Sequence, residues 1–356
     1  MGNCGNCCAP AHNDKDFPTQ NQMTIRTQPA QDHQNNEDPF FKESVNQPDQ
    51  TGHFLHASYP DNQIDLGKIS QEQLRKHGPS PSIATFIKEI PDYSNNSTNT
   101  AREKVERMGV FILDRNYEED PEVITLPPVQ FIENNSVYKG QWKNGMKHGR
   151  GEQWWSDGSH YEGYWKNNTA YGKGRLIHAD GDIYAGDWVD DKAHGKGTHS
   201  HADGAKYEGD WFEDKQHGEG VEVWPDGATY KGPYNMGKKE GQGSFKWADG
   251  SSYEGEFHNN SIHGFGTYKW ADGRSYKGTW SNNKMHGTGE FSWPDGRVYI
   301  GSYIDDKKEG YGEFIWPDGK KYKGMWKNGK QHGRGKIIDT RGNETETDWE
   351  DGKQMK

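Results

Sequence analysis

Nine tyrosines, Tyr138, Tyr161, Tyr184, Tyr207, Tyr230, Tyr253, Tyr276, Tyr299 and Tyr322, stand 23 residues apart without an insertion or a deletion. A fixed period of that length marks a repeat architecture, in which each unit is one supersecondary element and neighbouring units supply one another's core. Two residues after each tyrosine comes glycine, as at Gly140, Gly163, Gly186, Gly209 and Gly324. Two further on comes an aromatic ring, as at Trp142, Trp165, Trp188, Trp211 and Trp326. Strand side chains alternate between faces, so Tyr-x-Gly-x-Trp with polar residues between reads as a strand with one apolar face. Turn residues such as Asn144-Gly145 follow, then a Gly-x-Gly pair such as Gly149 and Gly151, then a second run ending at Asp157-Gly158. Asn-Gly and Asp-Gly supply the positive backbone angles of tight hairpin turns. Each unit is thus expected to be a β-hairpin, and one hairpin is unstable alone. The predicted fold is all-β: an elongated, single-layer solenoid of hairpins preceded by a largely disordered N-terminal tail.

Composition divides the chain at the start of the repeat. All 14 Trp and 40 of the 46 Gly lie from Tyr138 onward, and the first 137 residues carry 20 Asp/Glu against 11 Lys/Arg. Residues 9–65, rich in Asn, Gln, Asp and Pro, cannot bury enough apolar surface to offset ordering entropy and read as a disordered tether. Residues 66–130 form a polar segment with three expected short helices. The first has Ser70 and Gln73 as a capping box and stops at Gly78-Pro79. The second opens at Ser80-Pro81, with Ile83, Phe86, Ile87 and Ile90 at helical spacing. The third is capped by Thr100 and Glu103 and ends near Gly109. Two fates suit these helices equally: docking on a partner, or packing on the repeat body. The solenoid is expected over residues 131–356. Nine repeats span 138–344, with a half-unit cap at Phe131–Val137, where Asn134-Asn135 takes the turn position, and a last half-unit in which Trp349 falls on the aromatic register.

The combination of Tyr-x-Gly-x-Trp, an Asn-Gly turn, His-Gly-x-Gly and Trp-x-Asp-Gly resembles the membrane occupation and recognition nexus, or MORN, repeat. The resemblance covers residues 138–344. It implies an all-β scaffold of the kind found at membrane junctions, in cortical cytoskeleton, in radial spoke heads of cilia and appended to lipid kinases or methyltransferases, with homodimers in several members. Departures from the pattern are Tyr171, Glu240 and Glu309 at the histidine position, and His178 and His201 where other units have tryptophan.

The three cysteines, Cys4, Cys7 and Cys8, all lie in the first eight residues. An odd number in a glycine-flanked end makes no disulfide framework. Met1-Gly2-Asn3-Cys4 resembles the start of dually acylated proteins, although Asn6 stands where the common myristoylation pattern has Ser or Thr. One acyl chain binds a membrane only marginally, and an acidic tail supplies no polybasic second signal. Residues 1–8 are therefore expected to be an acylation signal, with Gly2 myristoylated and Cys4, Cys7 and Cys8 palmitoylated.

Histidine recurs at His148, His194, His217, His263, His286 and His332, but successive copies should lie two strands apart, about 10 Å, too far to share a metal ion. These imidazoles are expected to stabilise hairpins. His178, His194, His199 and His201 form a denser group for which a chance metal contact is the weaker reading. The row Trp155, Trp224, Trp247, Trp270, Trp293 and Trp316 reads first as packing and second as a cradle for choline headgroups. No Ser-His-Asp pattern, nucleotide-binding loop or bulk basic patch is present, so no enzyme activity, cofactor, metal or nucleic-acid partner is expected. The expected function is a scaffold on the cytoplasmic face of a membrane, recruiting or spacing protein partners along its repeats. The alternative is a structural component of a ciliary or cortical cytoskeletal assembly without lipid dependence.

Overall fold

The computed structural model describes residues 72, 76–79, 84–93, 96, 98–109, 111–113 and 120–355. Almost all of these are antiparallel β-structure, and they fall into two compact units that divide within the strand Ser252–His258. One holds the described residues up to 252 with 257–260, the other 253–256 with 261–355. The calls for residues 1–65, including Gly2, Cys4, Cys7 and Cys8, lie outside the described residues.

The first repeat shows how the sequence makes its hairpin. Strands β1 (Ala84–Phe86) and β2 (Ile124–Phe131) precede it, and β3 (Val137–Lys143) pairs with β4 (Met146–Trp154), Gly140 lying opposite Gly151. Asn144 and Gly145 join them with φ of 52° and 78°, two consecutive left-handed residues as a type I′ turn requires. The same pair of signs recurs at Asn167-Asn168, Asp190-Asp191 and onward to Asp351-Gly352. Register shifts between Gly140 and Trp142, where Gly149 at φ 66° forms a bulge. The exit to the next unit is also built locally. Gly158 takes φ 100°, Trp155 N–H donates to the Ser159 carbonyl at 2.9 Å, and Asp157 Oδ1 accepts the Ser159 N–H at 2.8 Å.

Within each compact unit, successive repeats are tied to one another through their turns. Asn168 N–H donates to the Lys147 carbonyl at 3.0 Å while its own Oδ1 accepts the Lys147 N–H at 2.7 Å. Asp191 does the same with Ala170 and Asp214 with Ala193 in the first unit, and Asn283 with Ile262 and Asp306 with Met285 in the second. Strand Glu344–Glu350 pairs with Lys330–Ile338 on one side and with Lys353–Gln354 on the other, and Trp349 sets its edge against Tyr322 at 5.5 Å.

The segment before the repeats corrects one expectation. Ala84–Phe86, placed by spacing in a second helix, is strand β1, paired with Val129–Phe131 of β2. Three residues of extended chain gain ladder hydrogen bonds at once, whereas a helix beginning here would bear a costly nucleus and meet Pro91, which disfavours a helical Ile90. Because β2 in turn pairs with β3, the sheet also reaches further N-terminal than residue 131. The third helix forms as α1 (Asn99–Met108) and ends at Gly109, whose φ of 62° suits a helix C-terminus. Of the first expected helix, Glu72, Lys76 and His77 are helical, while Ser70 and Gln73 lie outside the described residues.

Of the two fates weighed for this segment, the structure shows packing on the repeat body. Its contacts step along successive turns: Tyr93 Oη donates to the Asn135 carbonyl, Asn96 Nδ2 to Ser156 and Thr98 N–H to Ala179. Lys104 Nζ then donates to both Gly181 and His201 carbonyls at 2.9 Å. Beyond α1 the chain crosses onto the sheet, where the buried pair Arg175 and Glu162 bonds the Gly109 carbonyl and the Phe111 N–H.

Candidate functional site

The residues singled out from the repeat pattern are brought together as a self-packed aromatic ladder. Tyr138, Tyr161, Tyr184, Tyr207 and Tyr322 are buried, each with its hydroxyl donating to the carbonyl three residues on. Each ring meets the aromatic side chain of its own repeat and that of the next edge-on, as Tyr161 does Trp165 at 5.0 Å and Trp188 at 5.4 Å. Indole nitrogens reach back to a carbonyl 14 residues earlier, Trp188 Nε1 to Gly174 at 3.0 Å and Trp326 Nε1 to Gly312 at 3.3 Å. Gly163 and Gly174 lie directly under the Tyr161 ring; a Cβ on Gly174 would sit 2.2 Å from its hydroxyl. Gly140, Gly186, Gly209 and Gly324 are as tightly covered. These residues hold the fold together, and the geometry gives them no surface for chemistry.

The recurring histidine position has a hairpin role. His217 Nδ1 accepts the Met236 N–H at 3.4 Å and His332 Nδ1 the Asp351 N–H at 3.5 Å, each bonding the turn of the following unit. The departures Glu240 and Glu309 keep the function, since their carboxylates accept the Asn259 N–H at 3.0 Å and the Asn328 N–H at 2.8 Å. What the position needs is an acceptor, which both side chains provide.

In the tryptophan row, read second as a choline cradle, Trp224 and Trp293 lie in boxes closed by the chain's own cations. Lys308 is buried with Nζ 4.7 to 5.1 Å from the rings of Trp293, Tyr299, Phe314 and Trp326. Lys239 lies over Trp224, Tyr230 and Tyr234, with Nζ 2.9 Å from Glu222, and Lys147 over Trp165 at 4.1 Å. The quadrupole of the rings attracts these ammonium groups without an external ligand. Outward lysines are drawn into pairs as well: Lys143 to Asp120 and Glu122, and Lys323 to Glu313.

Among the described residues one group of His, Asp and Glu side chains brings three metal-competent atoms within 4.8 Å of one another: Asp182, His199 and His201. Asp182 Oδ2 is 3.0 Å from His201 Nδ1 and 3.6 Å from His199 Nε2. Burial raises the Asp182 carboxyl, but the His201 bond, the Ala202 N–H and the nearby imidazoles outweigh it and bring the group down to about 2. Burial, and then the His201 charge, lower His199 to about 4, while the Asp182 hydrogen bond raises His201. His194, counted with this group in the sequence, instead sets its ring 5.1 Å from Phe212. Sequence spacing could bring His199 and His201 to one strand end, but Asp182 is 17 residues earlier in an inter-unit turn. Its one signal is an aspartate where the following unit has Ala205.

With this geometry established, comparison with known proteins decides the family. The MORN repeat model matches nine segments, 138–160, 161–183, 184–206, 207–229, 230–252, 253–273, 276–296, 299–321 and 322–344. The chain belongs to the MORN-repeat family. No match was found among curated proteins. Solved structures with some likeness to this MORN protein include the TCP10 domain of CPAP from Danio rerio, 13% identical, covering 54% of this chain and 89% of that one with a TM-score of 0.31. The TCP domain of SAS-4 from Drosophila melanogaster, in complex with a proline-rich motif of Ana2, is 12% identical, covers 55% and 99%, and has a TM-score of 0.29. Virginiamycin B lyase from Staphylococcus aureus is 11% identical, covers 61% and 82%, and has a TM-score of 0.14.

Within the second unit, the MORN strands expose a distinct surface opposite the tyrosine ladder. Tyr311 faces Met325 across the strands, and Thr288 faces Ser302. With Phe265 and Thr279, also paired, these are uncharged positions in rows that begin at Glu256 and end at Arg334 and Asp348. Phe265, Tyr311 and Met325 are 50%, 60% and 45% exposed, an unusual degree for large apolar side chains that lie on one face. Among the corresponding positions of the first unit, Lys173 pairs with Asp187 and Lys196 with Asp210, while Arg150 faces Tyr164 and Glu219 faces Pro233.

Proposed function

We propose that this MORN-repeat protein is a non-enzymatic scaffold, held at the cytoplasmic face of a membrane by acyl chains on Gly2, Cys4, Cys7 and Cys8, whose repeats recruit or space protein partners. The observation that carries the partner-binding reading is the set of uncharged positions on this face of the second unit, among them the exposed Phe265, Tyr311 and Met325. Aromatic and methionine side chains concentrate at the centres of protein interfaces, where they contribute large area at low entropic cost. The anchor rests on the Met1-Gly2-Asn3-Cys4 start and its two further cysteines.

The two parts are tested separately in the native cells. Intact mass and membrane fractionation beside a Gly2→Ala variant test the anchor: acyl adducts on the first eight residues and loss from membranes in the variant support it. An unmodified N-terminus in the soluble or cytoskeletal fraction overturns it. Proximity labelling from the full chain, compared with Phe265→Ser/Tyr311→Ser/Met325→Ser, tests the scaffold. Partners lost in the triple variant support the docking face, and an unchanged set overturns it.

A further inference from the structure

Nine copies of one hairpin provide an internal reference against which an unusual residue stands out. Three residues depart from their counterparts around one inter-unit turn. Asp182 occupies a position held by Ser159 and Ala205 in the flanking units, and His201 one held by Trp224 and Trp247 in the next two. His199 stands where the preceding repeat has Leu176, the following one Glu222, and later ones Phe245 and Phe291. Each of the three carries a metal-ligating atom, and the fold brings all three ligating atoms within 4.8 Å.

We propose that Asp182, His199 and His201 form a binding site for one divalent transition-metal ion, with zinc as the expected occupant. Two imidazoles and one carboxylate are a donor set that suits zinc and its neighbours, not calcium or magnesium, which take oxygen ligands. Ligand atoms on one tetrahedral zinc, about 2.0 to 2.1 Å from the ion, lie about 3.3 Å from each other. The carboxylate-to-imidazole separations of 3.0 and 3.6 Å bracket that value.

The carboxylate is also oriented for the task. Asp182 Oδ1 accepts the Ala202 N–H at 2.8 Å, which fixes the carboxylate plane and directs Oδ2 toward the two rings. The side chain of His199 is 13% exposed and that of His201 47% exposed, so the three ligands leave a solvent-facing position for water as the fourth. Lys104, whose charge acts on His199, has its Nζ held by the carbonyls of Gly181 and His201. An ion would therefore clip two successive inter-unit turns at the point where α1 is fastened to both.

The test uses the full chain carrying Cys4→Ser, Cys7→Ser and Cys8→Ser, which removes competing thiols. Zinc chloride is titrated by calorimetry, cobalt(II) is followed by its visible absorption, and thermal unfolding is recorded with and without zinc. His201→Trp and Asp182→Ser each install the residue other units use at that position, and circular dichroism confirms that they fold. One equivalent of zinc is expected to bind the parent and raise its unfolding temperature, with affinity at least about tenfold weaker in either variant. The absence of saturable zinc binding in the parent, or equal affinity in the parent and both folded variants, overturns the proposal.

Discussion

Asp306 occupies the second position of a type I′ turn, where its Oδ1 accepts the Met285 N–H at 2.8 Å. Asn168, Asn260 and Asn283 make the same bond with a neutral amide. The carboxylate is 5% exposed, and burial raises it to about 6 against the Met285 bond that lowers it. A pKa above the unfolded value means that the folded state binds the proton more tightly. This contribution to stability is therefore complete below about pH 4 and is lost as pH rises through about 6. Asp306→Asn keeps the acceptor and removes the charge, so denaturant unfolding at pH 7 should show the variant more stable by about 1–2 kcal/mol. Its advantage should shrink between pH 6 and pH 4. At the same scale, Gly174→Ala places a methyl where the Tyr161 hydroxyl already sits, and the ring has nowhere to go inside the ladder. The expected loss is about 1–3 kcal/mol, measured by the same unfolding curves.

Hairpin turns set the geometry of each element, and their residue choice follows from backbone angles. Asn, Asp and Gly fill most left-handed positions because their short or absent side chains tolerate positive φ. Met236, at φ 50°, gains no such tolerance and leaves 40% of its surface exposed. Met236→Asn should stabilise the protein by about 1 kcal/mol, read as a shift in the urea midpoint without a change in slope. The element preceding the repeats shows the opposite dependence, on its neighbours more than on its own residues. α1 announces itself through Gly109 and a polar, helix-forming sequence, whereas Ala84–Phe86 is a strand because β2 offers an edge to pair with. Periodicity within one segment carries no record of such an edge.

Across the whole molecule, inter-unit contacts recur at the same sequence separations: 14 residues from indole to carbonyl and 21 from turn to turn. Removing residues 276–298, one whole period inside the second unit, leaves every such relation intact, and the shortened chain should retain its far-ultraviolet spectrum and buried tryptophan fluorescence. Removing only 276–287 should destroy both, because an odd number of strands reverses the chain against its neighbours. The repeat length, the alternation of faces and the turn chemistry were legible in the sequence because each depends on residues within one or two periods of each other. The role of the histidine position was legible only in outline, and the equivalence of Glu240 and Glu309 to it emerges from where the following turn lies. Tertiary structure alone decided that the segment before the repeats steps from turn to turn along the hairpins, and that buried lysines occupy the aromatic boxes. It alone brought Asp182 to His199 and His201. Those features join residues from different elements, and only folding brings such residues within the few ångströms over which hydrogen bonds and ligation act.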